Sequence, residues 1–540
     1  MTCPPLHASL SAALLLALVL PTTAAHAEDL HVDTRNAGTE NGTASRPYRT
    51  IGAAVKAASA GDRIKVAAGT YAESLHIKKD LTVEGGFPGA APEAYEAGSE
   101  GDFAASNPSQ HESVVRGNAS APVIFADGTI ETTFEGLVVT GGKQGILAEG
   151  YPEANARVIV RRSRIESNGN PSVNGGGIRA RAELLVEDSI VRGNTGERGS
   201  GIVAGPARSV VLRTVVEGNI SHGDHGGGIY AAGVIDVVGC VVRDNTVGKT
   251  AGYGWGGGLL FFNQGTKATV TDTEVRANFS PTKGSGVFVD DGAEATLRNV
   301  LIADNRCAKE GGALYVDGDT EGHGSNVKLI NVTIAGHNCG DNGYGQAVVM
   351  ERGSTLDIVS SIFWNNGSIE SSVEPGNTMT VRYSNTHNKL PGDGNTNTDP
   401  LFVDPAKGDY RLKNKQGRWD LASKTCVNDP VTSPCVDKGD PQGAFDREPE
   451  PNGGRVDMGA YGNSPLAGCG SHQSLAESTT ALGEQTPSLG PTRQGTRDGR
   501  CGCGLPGLGR RLRGLWLGLA ILVSTGLAAR KTNRPGTRLE

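Results

Sequence analysis

SVVLRTVVEGNISHGDHGGGIYAAGVIDVVGCVVRDN (209–245) says the same phrase twice. Val211, Thr214, Val216 and Asn219 return as Val237, Cys240, Val242 and Asn245, 26 residues later. Followed outward, the asparagine falls at Asn168, Asn194, Asn219, Asn245, Asn278, Asn305 and Asn365, with His337 taking the slot once. A period in the twenties made of short β-rich segments is that of a solenoid, in which each turn packs only on its neighbours. Eight residues before the asparagine stand Val160, Val186, Val211, Val237, Val270, Leu297 and Leu329. Three before it stand Ile165, Val191, Val216, Val242, Val275, Ile302, Ile334 and Ile362. Each column is predicted to stack on itself at about 4.8 Å per coil, as parallel strands do. A carboxamide donates and accepts, so stacked asparagines can satisfy a buried bend along the axis. The expected fold is all-β, a single parallel β-helix, right-handed because parallel crossovers overwhelmingly are.

Composition agrees. Glycine supplies 79 of 540 residues and aromatics only 5%, which suits short strands and tight turns. The net charge of −7 is spread along the chain and gives no nucleic-acid signal.

The ends read as addresses. An apolar run followed by Ala25-His26-Ala27 predicts a signal peptide over 1–27, cleaved after Ala27, although residues 1–10 lack Lys and Arg. Residues 28–62 hold a strand and a capping helix, with Ile51, Ala54, Val55 and Ala58 on one face after Thr50 as N-cap. Coils then fill 63–385, with an insertion at 87–113, and an irregular cap follows over 386–466. Residues 467–500 are a Ser/Thr/Gln/Pro-rich tether. In 501–540 come CGCG, an uncharged apolar run at 514–529 and a basic tail. That run spans about 24 Å as a short transmembrane helix.

Two resemblances follow. GTENGTASRPYRTIGAAVKAASAGDRIKVAAGTY (38–71) resembles the opening of secreted right-handed β-helix proteins of the pectin-lyase-like superfamily. TDPLFVDPAKGDYRLK (398–413) and NGGRVDMGAYGN (452–463) are similar to the closing segment of the choice-of-anchor Q group. The tail resembles MYXO-CTERM sorting signals. That implies processing near Cys501 or Cys503, lipid attachment and display on a bacterial outer membrane. GRRLR, between the cysteines and the apolar run, departs from the pattern and leaves the processing site open, and a plain membrane anchor is the alternative.

Cys307 and Cys339 sit two residues past the repeat slot in adjacent coils, within disulfide reach, and an exported chain is expected to join them. A local Cys426–Cys435 bond is expected in the cap. Cys240 falls in a small inward column with Ser163, Ser189, Thr214 and Thr273 and is predicted to be a buried free thiol.

Chemistry is less sharply written. In SHGDH, His222 and His225 lie on a loop edge beside Tyr253 and Trp255 of the next coil. A zinc site there lacks a third ligand, so a solvated turn is the plainer reading. After the glycines, Ile178, Ile202, Ile229, Leu259, Val287, Leu314 and Val348 point inward. Period two sends Tyr230, Leu260, Phe288 and Tyr315 outward. They form either an exposed aromatic row for sugar rings or one covered by a loop such as 87–113. Asp290, Asp317 and Glu351 share the next outward phase, a candidate calcium set, unless Arg352 neutralises it. Calcium is the cofactor such a set would hold. The favoured function is a surface-anchored protein that binds extracellular polysaccharide, or acts as an adhesin, without catalysis. The alternative implied by the superfamily is a calcium-dependent uronate lyase, for which Lys283 is the candidate base, placed on the loop edge away from the acids.

Overall fold

The computed structural model describes residues 27–469, apart from 129, 151–155, 251, 310, 340–345, 368–369 and 421–422. The signal peptide through His26, the tether, Cys501, Cys503 and the apolar run 514–529 lie outside the described residues. Among the described residues no helix is long and apolar enough to cross a membrane.

The chain is a parallel β-helix. Each coil makes a first strand, a sharp bend, a second strand, the asparagine bend, a short loop and a third strand. The columns stack in the expected register: Val186 on Val211, Val211 on Val237, Val237 on Val270, Val270 on Leu297, and Leu297 on Leu329. The third strands form their own 11-stranded parallel sheet, from Leu75–Ile77 to Ser371–Val373. The stacked inward side chains are fully buried, worth roughly 1.5–3 kcal/mol each relative to exposure.

The asparagines make a continuous ladder. The backbone N–H of Asn168, Asn194, Asn219 and Asn245 each donates at 3.0 Å to Oδ1 of the next asparagine, and that of Asn278 donates to Asn305 at 2.9 Å. Each Nδ2 donates back to a carbonyl of the preceding coil, as Asn219 does to Val191 at 3.0 Å. His337 fits because its Nδ1 accepts from the Asn305 N–H at 3.1 Å while Nε2 lies 3.0 Å from the Ile302 carbonyl. Burial pushes this imidazole down to about 4, so it stays neutral and keeps its acceptor.

One register expectation is corrected. The next rung is Asn366, which accepts from His337 N–H at 3.4 Å. Phe363, not Ile362, pairs with Ile334, and Asn365 is exposed. The stretch SSIFWNN (360–366) doubles the serine, apolar and asparagine markers, although only Asn366 has an apolar residue eight positions before it, Ile358, which pairs with Leu329. Ser361 decides, because it fills the small inward slot and its Oγ accepts from Val332 N–H at 3.1 Å.

At the start, Ile51–Ala57 is a helix whose N-cap Thr50 accepts from Ala53 N–H. Its buried face covers the first coil, and Asp29–Val32 adds a parallel strand ahead of Arg63–Ala67. The 87–113 insertion packs at this end, with Phe103 against Phe87 and His31, far along the chain from the aromatic row. At the other end, Asn395 bonds Ser384 N–H and the Val381 carbonyl across the last coil. The rest of the cap turns back along the flank, where Phe402, Tyr410, Cys435 and Met458 cluster with Leu301, Ala335 and Ile362.

Cys307 and Cys339 are bonded, with Cα atoms 4.5 Å apart. The cap disulfide is Cys426–Cys469, correcting the expected Cys426–Cys435. Cys435 points the other way, into the apolar seam between cap and coils, where burial raises its thiol to about 12. Cys240 is a buried free thiol, also raised to about 12 by burial.

Candidate functional site

The site is made by the second bend of each coil. The first glycine of each glycine run, at 175, 199, 226, 256 and 284, has φ between +57° and +71°, a region that costs residues with a Cβ about 1–2 kcal/mol. The turn folds the preceding residue over the outward face of the third strand. A Cβ on Gly226, Gly256 or Gly284 would sit 2.7–2.8 Å from the Cβ of Tyr230, Leu260 or Phe288. The residues that precede these turns are Asn174, Arg198, His225, Trp255 and Lys283, of which the last three line one cleft.

The outward row is therefore roofed, the covered one of the two alternatives that the sequence leaves open. Leu260, Phe288 and Tyr315 are at most 1% exposed, while Tyr230, Trp255 and Phe262 are half-buried. The cover comes from neighbouring loops and not from 87–113. Tyr253, 49% exposed, borders Trp255 at 6.1 Å between rings. The two histidines separate: His222 faces Thr250 at 2.6 Å, whereas His225 is buried in the roof. The His225 ring meets Trp255 and Phe262 edge-on at 4.8 and 5.1 Å. Its Nδ1 lies 2.6 Å from Asp224, which Arg198 also pairs at 2.9 Å. Burial lowers the His225 pKa against the pull of Asp224.

Beside this roof opens a cleft of about 530 Å³, walled by Trp255, Phe262 and His225 and floored by acids. Asp290, Asp317 and Glu351 stack in one phase, as expected from pairing of the residues just before them. The sequence reading misplaced Lys283. Its ammonium lies 2.8 Å from Glu351 and 3.3 Å from Asp317, and 4.7 Å over the Tyr315 ring. Arg352 adds a 2.7 Å pair to Asp317, and Tyr315 donates to Glu351 at 2.5 Å. The αL glycine before Phe288 is the signal that was missed, since it swings Lys283 onto the acid face.

The surroundings shift the three carboxylates in different directions. Burial, then the neighbouring Asp317 and Asp291, raise Asp290 to about 7. Burial also raises Asp317, with Lys283 opposing. Burial would raise Glu351 too, but its bonds from Lys283 and Tyr315 prevail and hold it low. Asp290 is 8% exposed; one oxygen accepts the Asp291 N–H at 2.9 Å, and among the described residues no ion pair engages it. As a calcium set, Asp290, Asp317 and Glu351 fit poorly: Lys283 already bridges two of them. Among the described residues, the acidic groups whose ligand atoms converge within 4.8 Å lie elsewhere. A second groove, of about 360 Å³ by Thr296, Lys328 and Asp357, is lined by ordinary outward strand residues.

Two family models match parts of the chain, "Disaggregatase related" over 317–439 and "Protein of unknown function (DUF1565)" over 34–87. No curated protein matches. Among solved structures, the crystal structure of pectate lyase Pel9A aligns over 80% of this chain and 96% of its own at 13% identity, with a TM-score of 0.42. The β-helix assignment rests on the strand pairing itself.

Proposed function

We propose that the protein is exported, tethered at the cell surface by its C-terminal segment, and binds a carbohydrate chain in the cleft. The observation that carries this reading is the joining of an aromatic wall, Trp255 and Phe262, to a floor of carboxylates in one groove of about 530 Å³. Rings supply flat apolar faces and carboxylates accept hydroxyl hydrogen bonds, the two contacts a sugar offers. The Cys307–Cys339 bond supports an oxidising compartment.

The lyase alternative loses support at Lys283. Burial opposes its charge, but the Glu351 bond and the Asp317 charge raise its pKa, and a base must be unprotonated to take a proton. A different chemistry has one specific observation in its favour. Asp290, raised to about 7 by burial and by the neighbouring Asp317 and Asp291, has the profile of a carboxylic acid that donates a proton to a leaving oxygen, so glycoside hydrolysis is the second reading.

The test is the full-length protein against neutral, acidic and amino-sugar oligosaccharides, followed by calorimetry and product analysis. Binding without products, weakened by Trp255→Ala, supports the first reading. New reducing ends, lost in Asp290→Asn, select hydrolysis. Unsaturated products would return the lyase, and no binding to any member would remove the carbohydrate reading.

A further inference from the structure

The cleft walled by Trp255 and Phe262 carries a charge imbalance that its own residues do not close. Five aspartates line it, against one lysine and one arginine. Both cations are already engaged: Lys283 bridges Asp317 and Glu351, and Arg352 holds Asp317 at 2.7 Å. Asp224 is shared between Arg198 and His225, at 2.9 and 2.6 Å, and Asp319 lies 2.6 Å from His323 Nδ1. That leaves Asp290 and Asp291, neither of which forms an ion pair among the described residues. Asp290 is 8% exposed, and its Oδ1 accepts the Asp291 N–H. Its Oδ2 accepts no hydrogen bond among the described residues. A carboxyl buried this far, lining an open cleft with one oxygen unused, is a place for a donor from outside.

The backbone aims both groups at the same space. Consecutive side chains of a strand point to opposite faces, but the strand Val287–Asp290 stops at Asp290, and Asp291 turns into the left-handed region at φ +51°. Both aspartates therefore line one cleft. An incoming carboxylate would meet them uncompensated and would have to pull Arg352 from Asp317, a like-charge arrangement that works against binding. An ammonium meets the opposite conditions. It donates three hydrogen bonds, pairs with carboxylates, and is attracted to the faces of Trp255 and Phe262. Burial, Asp317 and Asp291 raise Asp290 to about 7, and a cation beside it would bring it down again.

We propose that the cleft selects sugar chains bearing free primary ammonium groups, of the glucosamine type, over N-acetylated and uronate chains. The inference rests on the carbohydrate reading and specifies it: the aromatic wall takes the ring, and Asp290 and Asp291 take its ammonium.

The experiment is calorimetry of the full-length protein near neutral pH with four probes. These are tetramers of glucosamine, N-acetylglucosamine and galacturonate, and cadaverine as a diamine without a ring. The glucosamine tetramer is expected to bind about 10-fold or more tightly than its N-acetylated counterpart, with the uronate weakest. Asp291→Asn should weaken glucosamine binding about 10-fold and leave N-acetylglucosamine binding unchanged. Asparagine is at home in the left-handed region, and the backbone bond to Asp290 survives the change, so this variant keeps the turn. Should it not fold, the four probes decide on the parent chain alone. Equal affinity for the two amino-sugar tetramers, or tighter binding of the uronate, overturns the charge preference while the carbohydrate reading stands. So does cadaverine binding as tightly as the glucosamine tetramer, because charge without a ring would then suffice. Undiminished glucosamine binding in Asp291→Asn overturns the assignment of the ammonium to these aspartates. No binding of any sugar overturns both readings.

Discussion

Each coil turns two corners that the sequence marks equally plainly, and they do opposite work. At the asparagine corner every copy makes the same bonds, so the side chain is consumed in satisfying backbone. At the glycine corner the backbone turns by conformation alone. The residue before the glycine is then free to differ, as Asn174, Arg198, His225, Trp255 and Lys283 do. A corner held by a side chain is structural; a corner held by glycine lends its neighbour to the cleft.

Four substitutions test this contrast, in falling order of effect. Asn219→Leu removes the partners of Asn194 N–H and the Val191 carbonyl deep in the ladder. Two orphaned buried groups predict a loss of about 3–5 kcal/mol, read as a large drop in Tm or a chain that fails to fold. Gly256→Ala puts a methyl 2.7 Å from the Leu260 Cβ in a left-handed conformation. About 2–3 kcal/mol is expected, with Trp255 fluorescence reporting its displacement from the cleft. If Trp255 stays put, the glycine corner does not position it.

Lys283→Met leaves Glu351 with Tyr315 and Asp317 with Arg352. Stability should fall by about 2 kcal/mol, and both carboxyls should titrate higher. A Tm lost equally at pH 5 and pH 8 would argue that Lys283 contributes packing and not charge. The smallest effect at neutral pH belongs to His337→Asn, which restores the repeat. The native imidazole is depressed to about 4 from 6.5, so the unfolded chain binds the extra proton first. The stability that neutral His337 permits is complete above 6.5 and is lost as pH falls toward 4. The asparagine variant should melt like the parent at pH 7 and lose less between pH 6.5 and 4. Parallel pH profiles would place the acid sensitivity elsewhere, with the raised Asp290 contributing in the opposite sense.

These corners also explain what was legible. Columns of one residue type translate directly into space, which is why Val211 over Val237 and the Cys307–Cys339 bond follow from arithmetic along the chain. Arithmetic fails where a marker is doubled, as in SSIFWNN, and where no repeat exists, as in the cap, whose folding back carries Cys435 away from Cys426. It also cannot tell an outward residue from an exposed one. Phe288 and Tyr315 face away from the core, yet both are buried, Phe288 behind the left-handed turn at Gly284 and Tyr315 beneath Lys283.

The asparagine ladder has a direction, since each rung's main-chain N–H looks toward the side chain of the following rung and none looks back. Growth or shrinkage of this chain is therefore quantised. Whole coils can be copied or excised with the sequence of donors and acceptors intact, whereas a fractional insertion at the corner severs it. Domain length in proteins built this way is a count of rungs.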